Sequence, residues 1–260
     1  MMKRSTIAVQ LYTLREYTQT PEGLRSTFQK LADIGYQAVQ VSGIGPIDPK
    51  LVKEYADESG LTICATHVPW NRLQNDLDAL AKEHLLWNCK YIGLGALPAE
   101  YRSSLEGYRS FARIASGIAR TLKDKYDLHF IYHNHDFEFE RFEGTTALEL
   151  MVKETLPEDV GFELDLYWVQ AGGGSPVEWI HKVGGRMKVV HLKDMVIADG
   201  KQVFAEIGEG NMDYPAIIEA CRDTGVEWYV VEQDVCRRDP FESVKISLDY
   251  LLPYAKEDSL

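Results

Sequence analysis

A short β-rich run followed by an amphipathic stretch recurs eight times along this chain, and no other feature constrains its fold so tightly. Alternation of that kind predicts parallel strands joined by helical crossovers. The strand candidates are Ile7–Tyr12, Ala38–Ser42, Thr62–Val68, Lys90–Gly95, His129–His135, Val160–Leu166, Met187–Leu192 and Trp228–Glu232. Several are apolar on nearly every residue until their C-terminal ends, as a strand buried on both faces requires.

The intervening stretches carry helix signals. Thr20-Pro21 reads as an N-cap followed by proline at the first helical position, and Asp48-Pro49, Ser175-Pro176 and Asp239-Pro240 repeat it. Leu24, Phe28, Leu31 and Ile34 fall on one face before Gly35, a left-handed cap. After Ser104, Leu105, Tyr108, Phe111, Ala112, Ala115, Ile118, Ala119 and Leu122 keep helical spacing. Asp213 caps a further helix through Ile217, Ile218 and Cys221, ended by Gly225.

Right-handed crossovers place every strand's C-terminal end at one mouth. An open doubly wound sheet is the competing arrangement. Its dinucleotide fingerprint is absent, because Gln10-Leu11-Tyr12-Thr13 stands where a glycine-rich turn would follow the first strand. The expectation is therefore one (β/α)8 barrel spanning residues 1–260, a length typical of that architecture.

Charge and composition narrow the partners. With 28 Lys+Arg against 40 Asp+Glu, the net charge of −12 makes nucleic acid a poor partner. No run approaches the ~20 apolar residues of a bilayer span, and no signal-peptide core follows Lys3 and Arg4. Cys64, Cys89, Cys221 and Cys236 form no CxxC and fit reduced thiols of a cytoplasmic protein.

Chemistry-bearing residues gather at the ends of the last four strand candidates. These finish in Tyr132-His133-Asn134-His135-Asp136-Phe137-Glu138-Phe139, Glu163-Leu164-Asp165-Leu166-Tyr167-Trp168, His191-Leu192-Lys193-Asp194 and Glu232-Gln233-Asp234. Strand alternation puts Val189, His191 and Lys193 on one face, as it does Val230, Glu232 and Asp234, Glu163 and Asp165, and Ile131, His133 and His135. One imidazole or carboxylate per strand, His133, Asp165, His191 and Glu232, can then converge on a divalent metal ion. Mixed nitrogen and oxygen donors suit Mn²⁺, Co²⁺, Zn²⁺ or Fe²⁺ better than Ca²⁺, with Mg²⁺ also in range. On the third strand Ile63, Ala65 and His67 share a face, so His67 is a candidate substrate contact. Trp168 is a second candidate, at the mouth, whereas core packing is expected of Trp70. Lys193 can hold a substrate oxygen. Arg237, beside Arg238, is a candidate for an anionic group. Gly208-Glu209-Gly210 reads as a tight loop.

These residues resemble the xylose-isomerase-like TIM-barrel superfamily, the sugar phosphate isomerases and epimerases, over nearly the whole chain. The likeness rests on the four strand-end segments above and on Gly208-Glu209-Gly210 and Val231-Glu232. It implies a metal held by Glu, Asp, His and Glu, the last three matching Asp165, His191 and Glu232. His133 stands where the first Glu is expected. That carboxylate is one of two acid/base groups in the family's epimerases, so Glu138, His135 and Lys193 become candidates for the second proton-transfer role. The implied function is metal-dependent isomerisation or epimerisation of a small sugar through an enediolate, with Glu232 as general base. Dehydration or lyase chemistry on a keto-sugar or inosose is the alternative, since inosose dehydratase has a similar His-rich fifth-strand motif. A sugar-binding barrel without catalysis is a third reading. Phosphodiester cleavage, as in endonuclease IV, demands more than seven histidines and a basic groove. Similar barrels commonly form homo-oligomers, though no interface signature stands out in this sequence.

Overall fold

The computed structural model describes residues 2–256 and closes the eight strands into one parallel barrel flanked by helices. The first four strands are Ile7–Gln10, Ala38–Val41, Thr62–His67 and Tyr91–Leu94. The fifth to eighth are His129–His133, Val160–Asp165, Val189–Leu192 and Trp228–Val231. Strand order follows the chain, and the first strand is sealed against the eighth with Ala8 opposite Val230.

Each wall residue faces one of two cores. Outward side chains such as Val9, Val39, Phe130, Leu164, Val190 and Leu192 pack under the helices. Inward ones, among them Ala8, Ala38, Ala65, Ile131, Val189 and Val230, fill the barrel below the mouth. Thr20, Asp48, Ser104, Ser175, Asp213 and Asp239 all accept backbone N–H bonds at helix starts. Gly35 and Gly225 take φ of 115° and 76° at helix ends, a conformation that costs other residues dearly.

The structure departs from the sequence expectations in three places. Most strands stop one or two residues before the expected end, where a neighbour's ladder runs out. His135 thus lies beyond the fifth strand and reaches the interior from a loop. The third strand carries a register shift, with Val39 opposite Ile63 but Gln40 opposite Ala65. This bulge turns Ile63 outward while Cys64 and Ala65 both face in, so Ile63 does not share a face with His67. Finally, two hairpins were not expected. Asp194–Ala198 pairs with Lys201–Ala205, and Arg141–Phe142 with Thr145–Thr146. The turn residues Asp199-Gly200 and Glu143-Gly144 all have positive φ, between 49° and 89°, as a primed two-residue turn requires.

Candidate active site

At the mouth, the four expected donors meet. His133, Asp165, His191 and Glu232 each offer a ligand atom, all within 4.8 Å of one another and all buried. His133 Nε2 lies 3.3 Å from Asp165 Oδ2, and His191 Nδ1 lies 2.9 Å from Glu232 Oε2. The strand ladder explains the convergence, since Asp165 is level with His191 and His133 with Glu163.

Asp165 and His191 are fixed from behind. Asp165 Oδ1 caps the helix Leu166–Ala171 by accepting the Trp168 N–H at 3.1 Å, which leaves Oδ2 for the cluster. Asn134 Oδ1 accepts the Asp165 N–H. His191 Nε2 lies 2.7 Å from Gln40 Oε1, and Gln40 Nε2 donates to Glu163 at 2.9 Å. A carbonyl acceptor at Nε2 places a proton there and turns Nδ1 towards the cluster.

The donor set fits a divalent ion. Both ring nitrogens of buried His133 lack a hydrogen-bond partner. Such orphaned groups are costly unless something else satisfies them.

Lys193 completes the cluster. Its ammonium is fully buried, 2.8 Å from Asp165 Oδ2, 2.8 Å from Glu232 Oε2 and 2.7 Å from Asp234 Oδ2. Phe204 of the larger hairpin and Trp168 cover it, with ring centres 5.4 and 5.7 Å from Nζ. Burial disfavours every charge here; the pairing outweighs it at Lys193, Asp165, Glu232 and His191, whereas burial still raises Asp234. Lys193 stays well above the usual ammonium range, held by Asp165, Glu232 and Asp234. Despite burial, Lys193 lowers Asp165 to about 2, and with His191 it holds Glu232 well below the usual carboxylate range. His191 rises to about 10, its burial overridden by Glu163 and Glu232. Glu163, Asp165, Glu232 and Asp234 thus face Lys193 and a charged His191; an ion held through His191 Nδ1 would take the place of the proton there.

The other expected residues divide. His67 reaches the interior, with Nε2 hydrogen-bonded to Glu163 and Nδ1 3.4 Å from Gln10 Nε2. His135 lines the cavity and is neutral at ordinary pH, because burial, reinforced by His133, depresses it to about 3. Trp168 stands beside His135, ring centres 5.5 Å apart, behind the cluster and not among the cavity-lining residues. Trp70 packs on Phe111 as expected of a core residue and also lines the cavity. Arg237 is exposed on the loop after the eighth strand and does not line the cavity.

Glu138 is a correction. A 3-10 turn, Phe137–Phe139, carries it outside the barrel wall, where Tyr132 Oη donates to Oε1 and the His135 N–H donates to Oε2 at 2.8 Å. It does not line the cavity, and its role is to hold the His135 loop. Burial raises its carboxyl to about 7. The protonated form is then favoured by folding, so this group's contribution is full below the unfolded pKa near 4.5 and is lost as pH rises through about 7. The lost stability is about 3 kcal/mol. In Glu138→Gln, melting curves from pH 5 to 8 should lack that decline; a parallel pH dependence in both proteins would reject the buried acid.

Several contributors escaped the sequence reading. Glu163 joins His67, His191 and Gln40 below the cluster. Asp234 pairs with Lys193, and Gln10 and Gln40 are buried polar ends of the first two strands. Asp194 is no ligand. Its carboxylate accepts N–H bonds from Met195, Gly208, Gly210 and Met212 at 2.7 to 3.2 Å, clasping the loop after the seventh strand. An added Cβ at Gly210 would lie 2.1 Å from Asp194 Oδ1, which explains the second glycine of Gly208-Glu209-Gly210.

Room for His67 is made the same way. A Cβ at Gly95 would lie 2.7 Å from its Nδ1, and one at Gly93 2.8 Å from its Cδ2. Gly95→Ala should displace the imidazole, cost about 1–3 kcal/mol of stability and cut turnover about tenfold. Gly117→Ala, on an open helix face, should instead stabilise slightly. Paired melting and rate measurements check this contrast.

Of the four donors, His133 and Glu232 line a cavity of 1140 Å³ formed by residues on or after strands one to five and eight, with Asp165 and His191 fully buried. A family model described as xylose isomerase-like TIM barrel matches residues 28–254. Inosose dehydratase of Lacticaseibacillus casei is 23% identical over 271 residues, covering 88% of this chain and 90% of that protein. A solved sugar phosphate isomerase/epimerase from Parabacteroides distasonis ATCC 8503 is 26% identical, with a TM-score of 0.80 over 96% of this chain and 99% of that one. The probable 3-DHS dehydratase AsbF of Bacillus anthracis, at 12% identity and a TM-score of 0.73 over 95% and 98% of the two chains, shares the fold.

Proposed function

We propose, on the premise that this chain belongs to the xylose isomerase-like TIM barrel family, that it is an enzyme moving a proton at the carbon beside the carbonyl of a small keto-sugar. The observation that carries this reading is the meeting of His133, Asp165, His191 and Glu232 at an open cavity, beside the buried Lys193 ammonium. A divalent ion held by those four side chains would supply Lewis-acid polarisation of the carbonyl.

The chain's own groups supply the rest. Glu232 lines the cavity with its Oε2 held by Lys193 and His191, so Oε1 is the oxygen assigned to accept the proton. Lys193, fully buried and not itself lining the cavity, would act on the developing oxyanion through its positive charge from behind Asp165 and Glu232. His67, held by Glu163 and Gln10, also lines the cavity, its ring centre 4.9 Å from that of His133. His135, kept neutral by burial, also lines the cavity and can hydrogen-bond a substrate oxygen there.

Proton removal leads to three outcomes. Return of the proton to the other carbon isomerises, return on the other face epimerises, and loss of a β-oxygen dehydrates. We favour β-oxygen loss. An imidazole, His133, stands where a two-base epimerase would place a second carboxylate, and the inosose dehydratase likeness spans the chain. The likeness to the sugar phosphate isomerase/epimerase supports isomerisation or epimerisation as the second reading.

A panel of keto-sugars and inososes incubated with the Mn²⁺-supplemented protein in D₂O, followed by NMR, tests the proposal. Deuterium beside the carbonyl is expected, with an unsaturated product for dehydration or a relocated carbonyl for isomerisation. Binding without exchange at any carbon would leave a sugar-binding barrel instead.

A further inference from the structure

Barrels of this architecture frequently seat a phosphoryl group on the loops after the seventh and eighth strands. This chain builds a cradle of that kind. The N–H groups of Met195, Gly208, Gly210 and Met212 converge after the seventh strand, and the buried carboxylate of Asp194 takes all four. Oδ1 accepts those of Met195 and Met212, and Oδ2 those of Gly208 and Gly210, as backbone amides hold an oxyanion. The fit is close, since a Cβ at Gly210 would lie 2.4 Å from Asp194 Cγ. Arg238 is spent on the same loop, donating to Glu209 at 3.2 and 2.7 Å.

The cavity offers no second seat. None of its described lining residues comes from the segments after strands six and seven, where Trp168 and Phe204 cover Lys193 instead. Arg72 is the only Lys or Arg among the described lining residues, and Glu83 grips it through two hydrogen bonds of 3.3 and 3.0 Å. Asp48, Glu83, Glu232 and Asp234 line the same space. A phosphoryl dianion there would meet like charge and no unclaimed guanidinium or ammonium.

We infer that Asp194 fills from within the seat a phosphoryl group would need, so that the substrate is an unphosphorylated keto-sugar held through its carbonyl and hydroxyls alone. The inference rests on the reading above and adds no chemical step. It parts this chain from substrates of the kind for which the Parabacteroides distasonis protein is named.

Two measurements test it. Calorimetric titration of the Mn²⁺-supplemented protein compares D-fructose with D-fructose 6-phosphate and D-xylulose with D-xylulose 5-phosphate. In any pair that binds, the phosphate ester should be at least about tenfold weaker than its parent sugar. An ester that binds as tightly as the free sugar, or tighter, would overturn the inference. The second measurement empties the cradle. Asp194→Ala should melt about 3 °C higher in 0.1 M sodium formate than in 0.1 M sodium chloride, because the small anion replaces the lost carboxylate, while the parent melts alike in both. No gain with formate, or an equal gain in the parent, would overturn the cradle as an anion seat. Should the alanine variant not fold, the sugar pairs decide on the parent protein. If neither member of either pair binds, the keto-sugar reading fails while formate rescue still judges the cradle, so the two failures are distinguishable.

Discussion

Glu232→Gln should fold like the parent and lose proton exchange by about a thousandfold. The side chains are isosteric, and the ammonium of Lys193 keeps its contacts with Asp165 and Asp234 at 2.8 and 2.7 Å. What disappears is acceptance of a proton, together with one anionic donor of the cluster, and positioned general bases alone contribute roughly 10²–10⁴ in rate. The experiment pairs a melting curve with deuterium incorporation followed by NMR. Exchange near the parental rate in a well-folded variant would remove Glu232 from its assigned role.

Lys193→Met should have the larger effect on stability. The substitution keeps the hydrophobic stem against Trp168 and Phe204 but strips the charge from a site with no access to water. Asp165, Glu232 and Asp234 would then face one another without their shared cation. Breaking a buried ion pair by removing one partner costs about 3–5 kcal/mol, because the remaining charge is left uncompensated. The variant should therefore unfold early in chelator and recover much of the loss when Mn²⁺ is added, since a bound ion stabilises the folded state by mass action. Denaturant unfolding with EDTA and with Mn²⁺ measures both. Unchanged stability in EDTA would contradict the triple contact, and failure of any divalent ion to help would contradict the donor set.

Much of this was legible in the chain because strand geometry is local. Period-two alternation places His191 and Lys193 on one face and Val190 and Leu192 on the other, and the structure agrees. Right-handed crossovers then bring Asp165, His191 and Glu232 to the same mouth, and the structure joins them with His133. Where alternation breaks, the reading fails. The bulge beside Cys64 depends on how the second and third strands mesh, a non-local matter, so Ile63 was placed on the wrong face. Glu138, expected as a proton-transfer candidate, sits away from the cavity because the chain leaves the strand after His133 and folds into a 3-10 turn whose sense no periodicity reveals. Glu163 was visible as an inward neighbour of Asp165, but its bonds to Gln40 and His67 come from strands 123 and 96 residues away. The hairpin over Lys193 did have a signal. Asp199-Gly200, flanked by Met195, Val196 and Ile197 and by Val203 and Phe204, is the dipeptide that most favours a primed turn.

The seam between the first and eighth strands bears on how the protein is made. Ile7 pairs with Tyr229 and Val9 with Val231, so the opening strand waits for almost the entire chain to be synthesised before its outer edge is covered. Until then a nascent half-cylinder presents unsatisfied amide groups along one side, a template for joining neighbouring polypeptides. Chains terminated just ahead of Trp228 should accordingly be recovered in the insoluble fraction.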